Sequence, residues 1–576
     1  MKKLLFSSLC AAALLTACNS EEPVINGGNN GALSEPQFLT VNLVANTTSG
    51  TRADGDYEAG LEAENKVSKV RFYFFDENGN AFDVKADGEG YSNWMDWEDI
   101  SEEGDDMENV EKILSATLVI QSPLGDKVPS QLVAIINPIE EGEKRDLDAL
   151  RGISKDYQTK VGSGEFVMSN STYANNGTEI MAVSVADKIH KTSGEALADP
   201  VQIYVERTVA KVRLGSDLEP IPGMTNIFKT SKYEDDGTEV KQELPIYDEN
   251  GNVTGSKEIY VQFLGWNTTA VAGTGRLIKD INTAWPMDLF GVGGGAWNWS
   301  DYRRSFWAIN APSVRYQYGA FVDNNLAANI FEADAKKKFD KSDWVYINEN
   351  ATPFNNGDNA AGADPNTKTK VIIAAKLVDS EGNAIEFAEY GSTRTSIDGL
   401  KVLFANNCGL YKKTTYTENG QNFTKFEKIT PADLTIKTAT AVGEASQTTP
   451  GRYKVYIQLA VNDDNTWYTS NNEDATVITA AAANARLKSL GSAKVWKDGS
   501  TYYYFDIKHL GNKYGVVRNH IYDSTVTKLV GLGTPVYDPN EIIYPEKPED
   551  DDDTFIAAQI NILSWRVVKN NVELEW

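Results

Sequence analysis

The chain is built mainly from short runs of β-branched and aromatic residues, which are separated by polar turns. Runs of this length and composition are typical of β-strands. A helix is predicted only at residues 480–487, where alanine dominates, and a short helical turn at residues 431–434. Strands are predicted at residues 70–75, 116–120, 132–136, 371–375 and 453–457. The pattern therefore predicts a mostly β fold with few short helices.

Three turns share one sequence pattern, at residues 76–80, 248–252 and 379–383. Each begins with Asp and has Gly and Asn at its fourth and fifth positions. Such turns tolerate the positive φ of a tight hairpin. None carries the alternating ligands and terminal Glu of an EF-hand calcium loop. Hairpins are therefore predicted at all three places.

The length of the chain, 576 residues, excludes a single small module, because domains average about 150 residues. Two β-sandwich domains of transthyretin-like or Greek-key type agree best with the many short strands. The boundary between them is predicted near residues 266–279. There a strand-like run at residues 259–264 gives way to sequence rich in Gly and Thr.

The chain is strongly acidic, with 82 Asp and Glu against 55 Lys and Arg, and its net charge is -27. Wrapping nucleic acid or coating an anionic membrane needs a cationic surface, so neither is expected as the main activity. The excess negative charge favours solubility and opposes association.

Residues 1–18 predict an export signal. Two lysines precede an apolar run at residues 4–15, which is too short to span a membrane as a mature anchor. The sequence LTAC at residues 15–18 resembles a bacterial lipobox, and acidic residues follow it at 21–22. We therefore predict an outer-membrane lipoprotein precursor that carries palmitate on Cys18. The alternative is an ordinary signal peptide that contains a cysteine.

No sequence motif nominates a catalytic site, a cofactor site or a metal site. The three histidines, His190, His509 and His520, have no metal-ligand spacing. Neither a P-loop nor a G-x-S-x-G elbow is present. Among 82 acidic residues nothing nominates a carboxylate pair for glycoside hydrolysis. We expect no enzyme activity and no cofactor, and interpret Arg518 and His520 as a structural pair and Cys408 as a buried or loop cysteine.

A strand with strict alternation lies close to the N-terminus. It is followed by a polar stretch of small residues in which Arg52 is the only basic residue. An Arg-specific protease is therefore expected to cut between Arg52 and Ala53. The alternative is a normal first strand with an incidental arginine. The residues on one face of this strand are Leu39, Val41, Leu43 and Ala45.

The C-terminus repeats this pattern behind a stiff acidic spacer, which contains Pro545, Pro548 and five acids at residues 549–553. An apolar strand beyond such a spacer exposes an edge that aggregates unless another subunit accepts it. The residues of this apolar segment are Ile556, Ala558, Ile560 and Ile562 on one face, and then Leu563, Trp565 and Val567 with the phase shifted.

Six short stretches, in this order, resemble the Bacteroidales fimbrillins that build type V pili, and specifically the major subunit of the minor fimbriae. Together with the lipobox they run through essentially the whole chain. The stretches are FVMSNS at 166–171, VERTVAKV at 205–212, RSFW at 304–307, YINEN at 346–350, GVVRNHIY at 515–522 and the tail at 560–574.

The resemblance implies a structural subunit of a cell-surface fimbria that supports adhesion. It implies a lipidated precursor whose first strand fills its own groove until cleavage after Arg52 removes that strand. The C-terminal donor strand of a neighbouring copy then inserts, which is a form of strand complementation. Expected partners are other copies, accessory fimbrial subunits, an Arg-specific protease, the outer membrane through the lipid, and a host protein or glycan.

This interpretation divides the chain into five parts and leaves two alternatives open. One is a monomeric surface lipoprotein that binds glycans through Trp285, Trp297, Trp299 and Trp307. The other is a fimbrial tip or anchor subunit. The predicted parts are a signal peptide (1–18), a tether with the removable first strand (19–52), an N-terminal sandwich (53–268), a C-terminal sandwich (269–545) and an acidic spacer with donor strands (546–576).

Overall fold

The protein is described here by a computed structural model, in which most of the chain between residues 36 and 575 is placed. The described residues are 36–45, 57–58, 60–85, 90–98, 101–103, 112–125, 127–158, 161, 165–170, 182–234, 236–247, 253–281, 308–311, 314–319, 337–351, 367–446, 449–464, 466–472, 475–509, 515–545 and 565–575. Over these residues the fold is mostly β, as the sequence predicts.

The strands of the N-terminal half are β1 (Gln37–Ala45), β2 (Tyr57–Glu58), β3 (Val70–Phe75), β4 (Val84–Lys85), β5 (Tyr91–Ser92), β6 (Trp94–Trp97), β7 (Ser101–Glu103), β8 (Lys112–Ile120), β9 (Gln131–Ile136), β10 (Ser154–Lys155), β11 (Met168–Asn170), β12 (Val183–Ser184), β13 (Val201–Arg207), β14 (Val209–Ser216), β15 (Ile227–Lys229), β16 (Ser231–Tyr233), β17 (Glu239–Lys241), β18 (Glu243–Tyr247), β19 (Val253–Glu258), β20 (Tyr260–Thr269), β21 (Val271–Ala272) and β22 (Gly275–Arg276).

The remaining strands are β23 (Tyr316–Gln317), β24 (Asp340–Asn348), β25 (Lys370–Val378), β26 (Phe387–Tyr390), β27 (Thr393–Thr395), β28 (Tyr411–Glu418), β29 (Gln421–Lys428), β30 (Leu434–Thr438), β31 (Lys454–Leu459), β32 (Trp467–Tyr468), β33 (Val477–Ile478), β34 (Ala493–Trp496), β35 (Ser500–Asp506), β36 (His520–Val530), β37 (Thr534–Pro535) and β38 (Trp565–Glu575).

The helices are short, and among the described residues none is long and apolar enough to cross a membrane. Each of the two longest begins at a side-chain cap, from Ser396 or from Thr479, which accepts a hydrogen bond from a backbone N–H of the first turn. The α-helices are α1 (Leu147–Arg151), α2 (Ser193–Ala198), α3 (Ile397–Asn407) and α4 (Ala480–Ser489), and the 3-10 turns are Glu62–Asn65, Ala186–Lys188, Pro431–Asp433 and Lys497–Gly499.

All five predicted strands and the predicted helix are present. The strand predicted at residues 70–75 is β3 with the same bounds. The other four are β8, β9, β25 and β31, whose bounds differ by between one and four residues at an end, and the helix is α4. Local alternation and propensity therefore predict these elements well.

Sheet 1 contains β1, the first strand of the described residues, in its interior. Its order is β6-β3-β9-β11-β13-β1-β8-β7, with β12 beside β9. One core cluster lies against this sheet and contains Leu39 and Val41 from β1, Phe72 from β3 and Leu118 from β8. β1 thus contributes directly to the first core.

Sheets 2 and 3 form a sandwich around a second core. Sheet 2 has the order β17-β16-β36-β14-β24, with β38 along β36 and β2 along β38, and sheet 3 has the order β15-β20-β25-β35-β37. Their shared core contains Val212 and Tyr522 from sheet 2 and Phe263, Ile373 and Phe505 from sheet 3. Burial from both sheets into one cluster identifies the sandwich.

A third core, which the sequence did not predict, lies between β25 and β35 in the chain. Sheet 4, of order β27-β26-β34-β31-β30, packs there against α3 and α4 through Phe404 and Leu487. Cys408 is buried in this core, and burial raises the pKa of its thiol. Sheet 5 has the order β29-β28-β32-β33, and the two-stranded pairs are β4-β5, β10-β22, β18-β19 and β21-β23.

The first and second cores overlap along the chain. Val209 lies in the first core and Ala210 in the second, while Leu277 and Ile278 return to the first. The predicted domain boundary between residues 268 and 269 stays a prediction.

Two of the three predicted hairpin turns lie within the described residues and share one geometry. The carboxylates of Asp76 and Asp379 each accept the backbone N–H groups two and four residues later, at 2.8 to 3.0 Å. Gly79 and Gly382 adopt positive φ, 81° and 86°, which only glycine adopts readily. The hairpin prediction is confirmed for these two turns; residues 248–252 lie outside the described part.

The carboxylate of Asp379 is the more strongly bound of the two. Burial alone raises a carboxyl pKa, but the Lys257 ammonium 2.7 Å away and the two backbone N–H groups outweigh it. The pKa of Asp379 is therefore held well below its usual value. A carboxyl group whose pKa is lower in the folded state than in the unfolded state stabilises the fold at pH values above its unfolded-state pKa. This stabilisation is lost as the pH falls towards the folded-state pKa.

We expect Asp379→Asn to lower the free energy of unfolding by about 1–2 kcal/mol at pH 7. The loss should shrink as the pH falls below about 4, the pKa of an unfolded Asp, because Asp379 of the unfolded wild-type chain then binds a proton that the folded carboxylate does not, and this lowers the stability of the wild type alone. Urea unfolding at several pH values measures it. The control is Asp398→Asn at a position whose side chain is 89% exposed. A loss that stays constant from pH 7 to pH 3 contradicts the assignment.

Candidate functional site

β1 is hydrogen-bonded along both of its edges. It is antiparallel to β8 over all nine of its residues, and parallel to β13 from Val41 to Ala45. We call the space between β8 and β13 that β1 fills the β1 slot. Emptying the β1 slot leaves two facing strand edges without partners, which is unfavourable for backbone groups inside a sheet.

Side chains that enter the β1 slot point alternately to the two faces of sheet 1, and we call these two sides of the slot its walls. The wall on the side of the first core is apolar, and the opposite wall carries a hydroxyl group. Leu39 and Val41 have no exposed surface and face the first core. Between them Thr40 faces the opposite side of the sheet and is 1% exposed. Its Oγ1 lies 3.1 Å from Oγ1 of Thr117, which is directly opposite on β8.

The face of β1 that points away from the first core is covered as well. α2 packs across both β1 and β8. Just before α2, the backbone of His190 exchanges two hydrogen bonds with Phe38, at 2.7 and 2.9 Å. β1 is therefore paired along both edges, packed on the first core by one face, and in contact with α2.

The C-terminal strand β38 is paired within its own chain. It runs parallel to β36, from Arg566 opposite His520 to Glu575 opposite Val530, and Leu574 is buried in the second core. β2 pairs with the start of β38 on its other edge. The sequence predicted that the C-terminal segment has no partner within its own chain. This prediction is wrong for β38, because the long edge of β36 pairs with it.

A buried ion pair fixes the chain soon after the predicted cleavage position. The Glu64 carboxylate is 1% exposed, lies 2.9 Å from the Lys211 ammonium and accepts hydrogen bonds from the Tyr346 hydroxyl and the Leu61 N–H. Burial alone would raise the pKa of Glu64, but these partners hold it below its usual value. Burial and the bond to Glu64 raise the pKa of Tyr346.

Arg207 connects this turn to the beginning of β36. Its guanidinium donates to the Glu64 carbonyl oxygen at 3.1 Å, to Oδ1 of Asn519 at 3.1 Å and to Oδ1 of Asn65. Since Arg207 ends β13 and Asn519 precedes β36, the end of sheet 1 adjoins the beginning of β36.

A second buried pair lies nearby. The Arg518 guanidinium, with no exposed surface, donates to Glu349 at 2.7 Å and to the Arg276 carbonyl oxygen at 2.7 Å. His520 contacts the carbonyl oxygen of Arg518 through Nδ1 at 2.7 Å. Sequence reasoning missed these ion pairs, although charged residues inside VERTVAKV, YINEN and GVVRNHIY were a signal for them.

Many predicted site residues lie outside the described part of the chain or have only their backbone described. Cys18, Arg52 and Ala53 are outside it. Among residues that the structure describes, no group of three or more His, Cys, Asp or Glu could hold a metal ion. Ile556, Ala558, Ile560, Ile562 and Leu563 are also outside, whereas Leu43, Ala45, Trp565 and Val567 lie in β1 and β38 without described side chains.

We expect Lys211→Met to lower the free energy of unfolding by about 3–5 kcal/mol, because it leaves the buried Glu64 carboxylate without its cation. Adding Glu64→Gln should recover most of that loss. Chemical denaturation of the single and double variants measures both. The control is Lys232→Met, which removes an exposed pair with Glu234 and should cost less than about 1 kcal/mol. Equal losses from the two lysines contradict the role of the buried pair.

One family model matches a segment of the chain. Residues 494–571 match the family model for the major fimbrial subunit protein type IV, fimbrillin, C-terminal. This segment contains β35, β36, β37 and most of β38. A comparison with curated protein sequences yields no match.

Three solved structures of fimbrial proteins are similar to the chain. A fimbrilin from Porphyromonas gingivalis W83 is 11% identical, with coverage of 93% of this chain and 99% of that chain and a TM-score of 0.36. A fimbrial assembly protein from Parabacteroides distasonis is 9% identical, with coverages of 68% and 96% and a TM-score of 0.27. The tip fimbrial protein Mfa3 from Porphyromonas gingivalis is 12% identical, with coverages of 67% and 98% and a TM-score of 0.24.

All three TM-scores lie below 0.5, so these structures carry no argument, and the similarity to a family is limited to residues 494–571. This segment contributes β36 and most of β38 to sheet 2 and β35 and β37 to sheet 3, and over it the resemblance to the fimbrillins that the sequence predicts is confirmed.

Proposed function

We propose that the chain is the structural subunit of a cell-surface fimbria, exported as a lipoprotein precursor and polymerised by strand exchange after cleavage behind Arg52. The observation that carries the proposal is the interior position of β1 in sheet 1. β1 is the first strand of the described residues, lies between two others and precedes the predicted cleavage position, so cleavage there frees it as one piece. Its removal leaves the β1 slot open to a strand from a neighbouring copy.

The energetics favour refilling the β1 slot. Four or five aliphatic side chains, at about 1.5–3 kcal/mol each, contribute on the order of 10 kcal/mol when a strand enters. Each backbone hydrogen bond adds about 0.5–1.5 kcal/mol, and the ordering of the incoming segment opposes these gains. Such a joint is long-lived without a disulfide.

The buried ion pair explains why cleavage can remove β1 and leave the rest of the subunit in place. Glu64 lies twelve residues beyond Arg52 and is bound to Lys211 in β14 and Tyr346 in β24, two strands of sheet 2. Breaking such a pair by withdrawing one partner costs several kcal/mol. The part of the chain that can leave therefore ends before this turn.

The donor in the proposal is the C-terminal tail. Its apolar residues at 556–563 follow the acidic spacer at 549–553, and charge repulsion opposes packing of this spacer on an acidic subunit.

Cleavage leaves the net charge of the subunit unchanged. The removed residues 1–52 are neutral, since three basic residues balance three acidic ones, so every mature subunit keeps the charge of -27. That charge keeps assembled fibres apart at low ionic strength.

Export and anchoring complete the proposal. The lipid on Cys18 holds the precursor at the outer membrane until cleavage after Arg52 frees the subunit for assembly. Accessory fimbrial subunits and an Arg-specific protease are its expected partners.

Treatment of the precursor with an Arg-specific protease is expected to yield filaments in negative-stain microscopy, whereas the untreated precursor stays monomeric. Arg52→Ala should abolish filaments, because β1 then stays covalently attached. The matched control is Arg486→Ala, which removes an exposed arginine in α4 and should leave assembly unchanged.

N-terminal sequencing of the filament subunit should read from Ala53. Equal polymerisation of the Arg52→Ala precursor and the wild type would falsify activation at this site. Monomers under all conditions would favour the monomeric glycan-binding lipoprotein.

A further inference from the structure

We propose a specific register for the strand exchange: residues 559–564 of a second copy replace residues 40–45 one for one, with Gln559 opposite Thr117. The inference rests on the proposed function and adds to it the residues that select the donor and fix its position. It follows from the two walls of the β1 slot. Residues 559–564 lie outside the described part of the chain, and the register is inferred from their sequence and from the described residues that pair with β1.

The polar wall of the β1 slot is defined by the residues paired with β1. Thr117 lies opposite Thr40, and Asn42 is paired with Ser115 on β8 and with Gln202 on β13. All three residues of this wall have exposed or half-exposed side chains. The wall therefore accepts polar side chains at the places of Thr40 and Asn42.

The apolar wall is formed by the alternate residues of the same two strands. Ala116 and Val201 are paired with Val41, and Leu114 and Ile203 with Leu43. All four are no more than 5% exposed. A strand that fills the β1 slot must therefore read polar, apolar, polar, apolar from the place of Thr40 to that of Leu43.

The tail contains this order twice, at residues 559–562 and 571–574, and the second run lies in β38, which is already paired with β36. Residues 40–45 read TVNLVA and residues 559–564 read QINILS. Polar Gln stands for Thr, Ile for Val, Asn for Asn, Ile for Leu, Leu for Val and Ser for Ala. Upstream of this run the match ends, because the smaller Ala558 falls at the place of Leu39.

Neighbouring registers fit worse. A shift by one residue turns every side chain to the wrong wall. A shift that puts Asn561 opposite Thr117 places Leu563 against the polar wall and Ser564 against the apolar wall. The opposite shift puts Ala557 opposite Thr117 and offers that hydroxyl no hydrogen-bonding partner from the donor.

The chosen register also ends at a suitable place. Ser564 takes the position of Ala45, which is paired with Val205 near the end of β13. Two residues further along β13, Arg207 is bound to Asn519, which directly precedes β36. The donor therefore leaves the β1 slot next to the edge along which β38 runs in this structure.

Disulfide cross-linking between two preparations of the chain tests the register. Both carry Cys408→Ala, because Cys408 is the only cysteine that remains after cleavage behind Arg52. One preparation carries Thr117→Cys and the other Gln559→Cys; both are treated with an Arg-specific protease, mixed and oxidised. Residues directly opposite on antiparallel strands have Cβ atoms about 4.5–5.5 Å apart, against about 7–8 Å for diagonal neighbours, and a disulfide needs about 3.5–4.5 Å.

We expect linked dimers on a non-reducing gel from Thr117→Cys with Gln559→Cys, and from Ser115→Cys with Asn561→Cys. The diagonal pair, Thr117→Cys with Asn561→Cys, should link at least about tenfold less, because its Cβ atoms are too far apart. Filaments in negative-stain microscopy show that each variant still folds and assembles.

The outcomes separate the register from the mechanism. Preferential linking of Thr117→Cys with Asn561→Cys overturns the register and leaves strand exchange standing. Filaments without any of the three cross-links overturn the register as well, since the donor then lies elsewhere. If the protease-treated wild-type chain forms no filaments and none of the three pairs links, the proposed function fails together with the inference.

Discussion

β1 supplies the backbone hydrogen bonds that the facing edges of β8 and β13 would otherwise lack. The first core packs against the sheet that these three strands help to form. β1 is antiparallel to β8 and parallel to β13, so it fixes the direction in which any replacement must run. Its inner face contributes to the first core and its outer face is covered by α2. The departure of such a strand is costly until a substitute of matching direction and alternation takes its place, because the sheet is left with two unpaired edges.

The buried charges at the junction of the first and second cores complement this constraint. Lys211 with Glu64, and Arg518 with Glu349, are ion pairs with almost no exposed surface. Replacement of such pairs by apolar residues is often neutral for stability, whereas separation of the partners is costly. We infer that the pairs contribute little net stability and instead fix the position of the chain around Glu64, which is bound to Lys211 and Arg207 close to the end of β1.

Local sequence patterns predicted individual strands and one helix, but they did not predict which strands pair with each other. Alternation identified β1, and β-branched and aromatic composition gave β3 its correct bounds, since both depend only on neighbouring residues. The parallel pairing of β1 with β13 and the bond between Arg207 and Asn519, which are 312 positions apart, leave no local signal. The third core was missed for the same reason: α4 was predicted, but its packing on sheet 4 depends on residues far away in the sequence.

The near-identity of pattern between residues 40–45 and 559–564 bears on why proteolysis controls assembly in the proposed mechanism. Two strands that present the same order of polar and apolar side chains to the same walls are expected to bind the β1 slot with similar intrinsic affinity. While β1 is covalently attached, its effective concentration lies in the millimolar range or above, far beyond that of a neighbour's tail. Cleavage after Arg52 removes this advantage and turns β1 into a peptide that can dissociate. The tail then needs no higher affinity than β1 has, because it stays attached to a whole subunit and can be held by a further contact along β36.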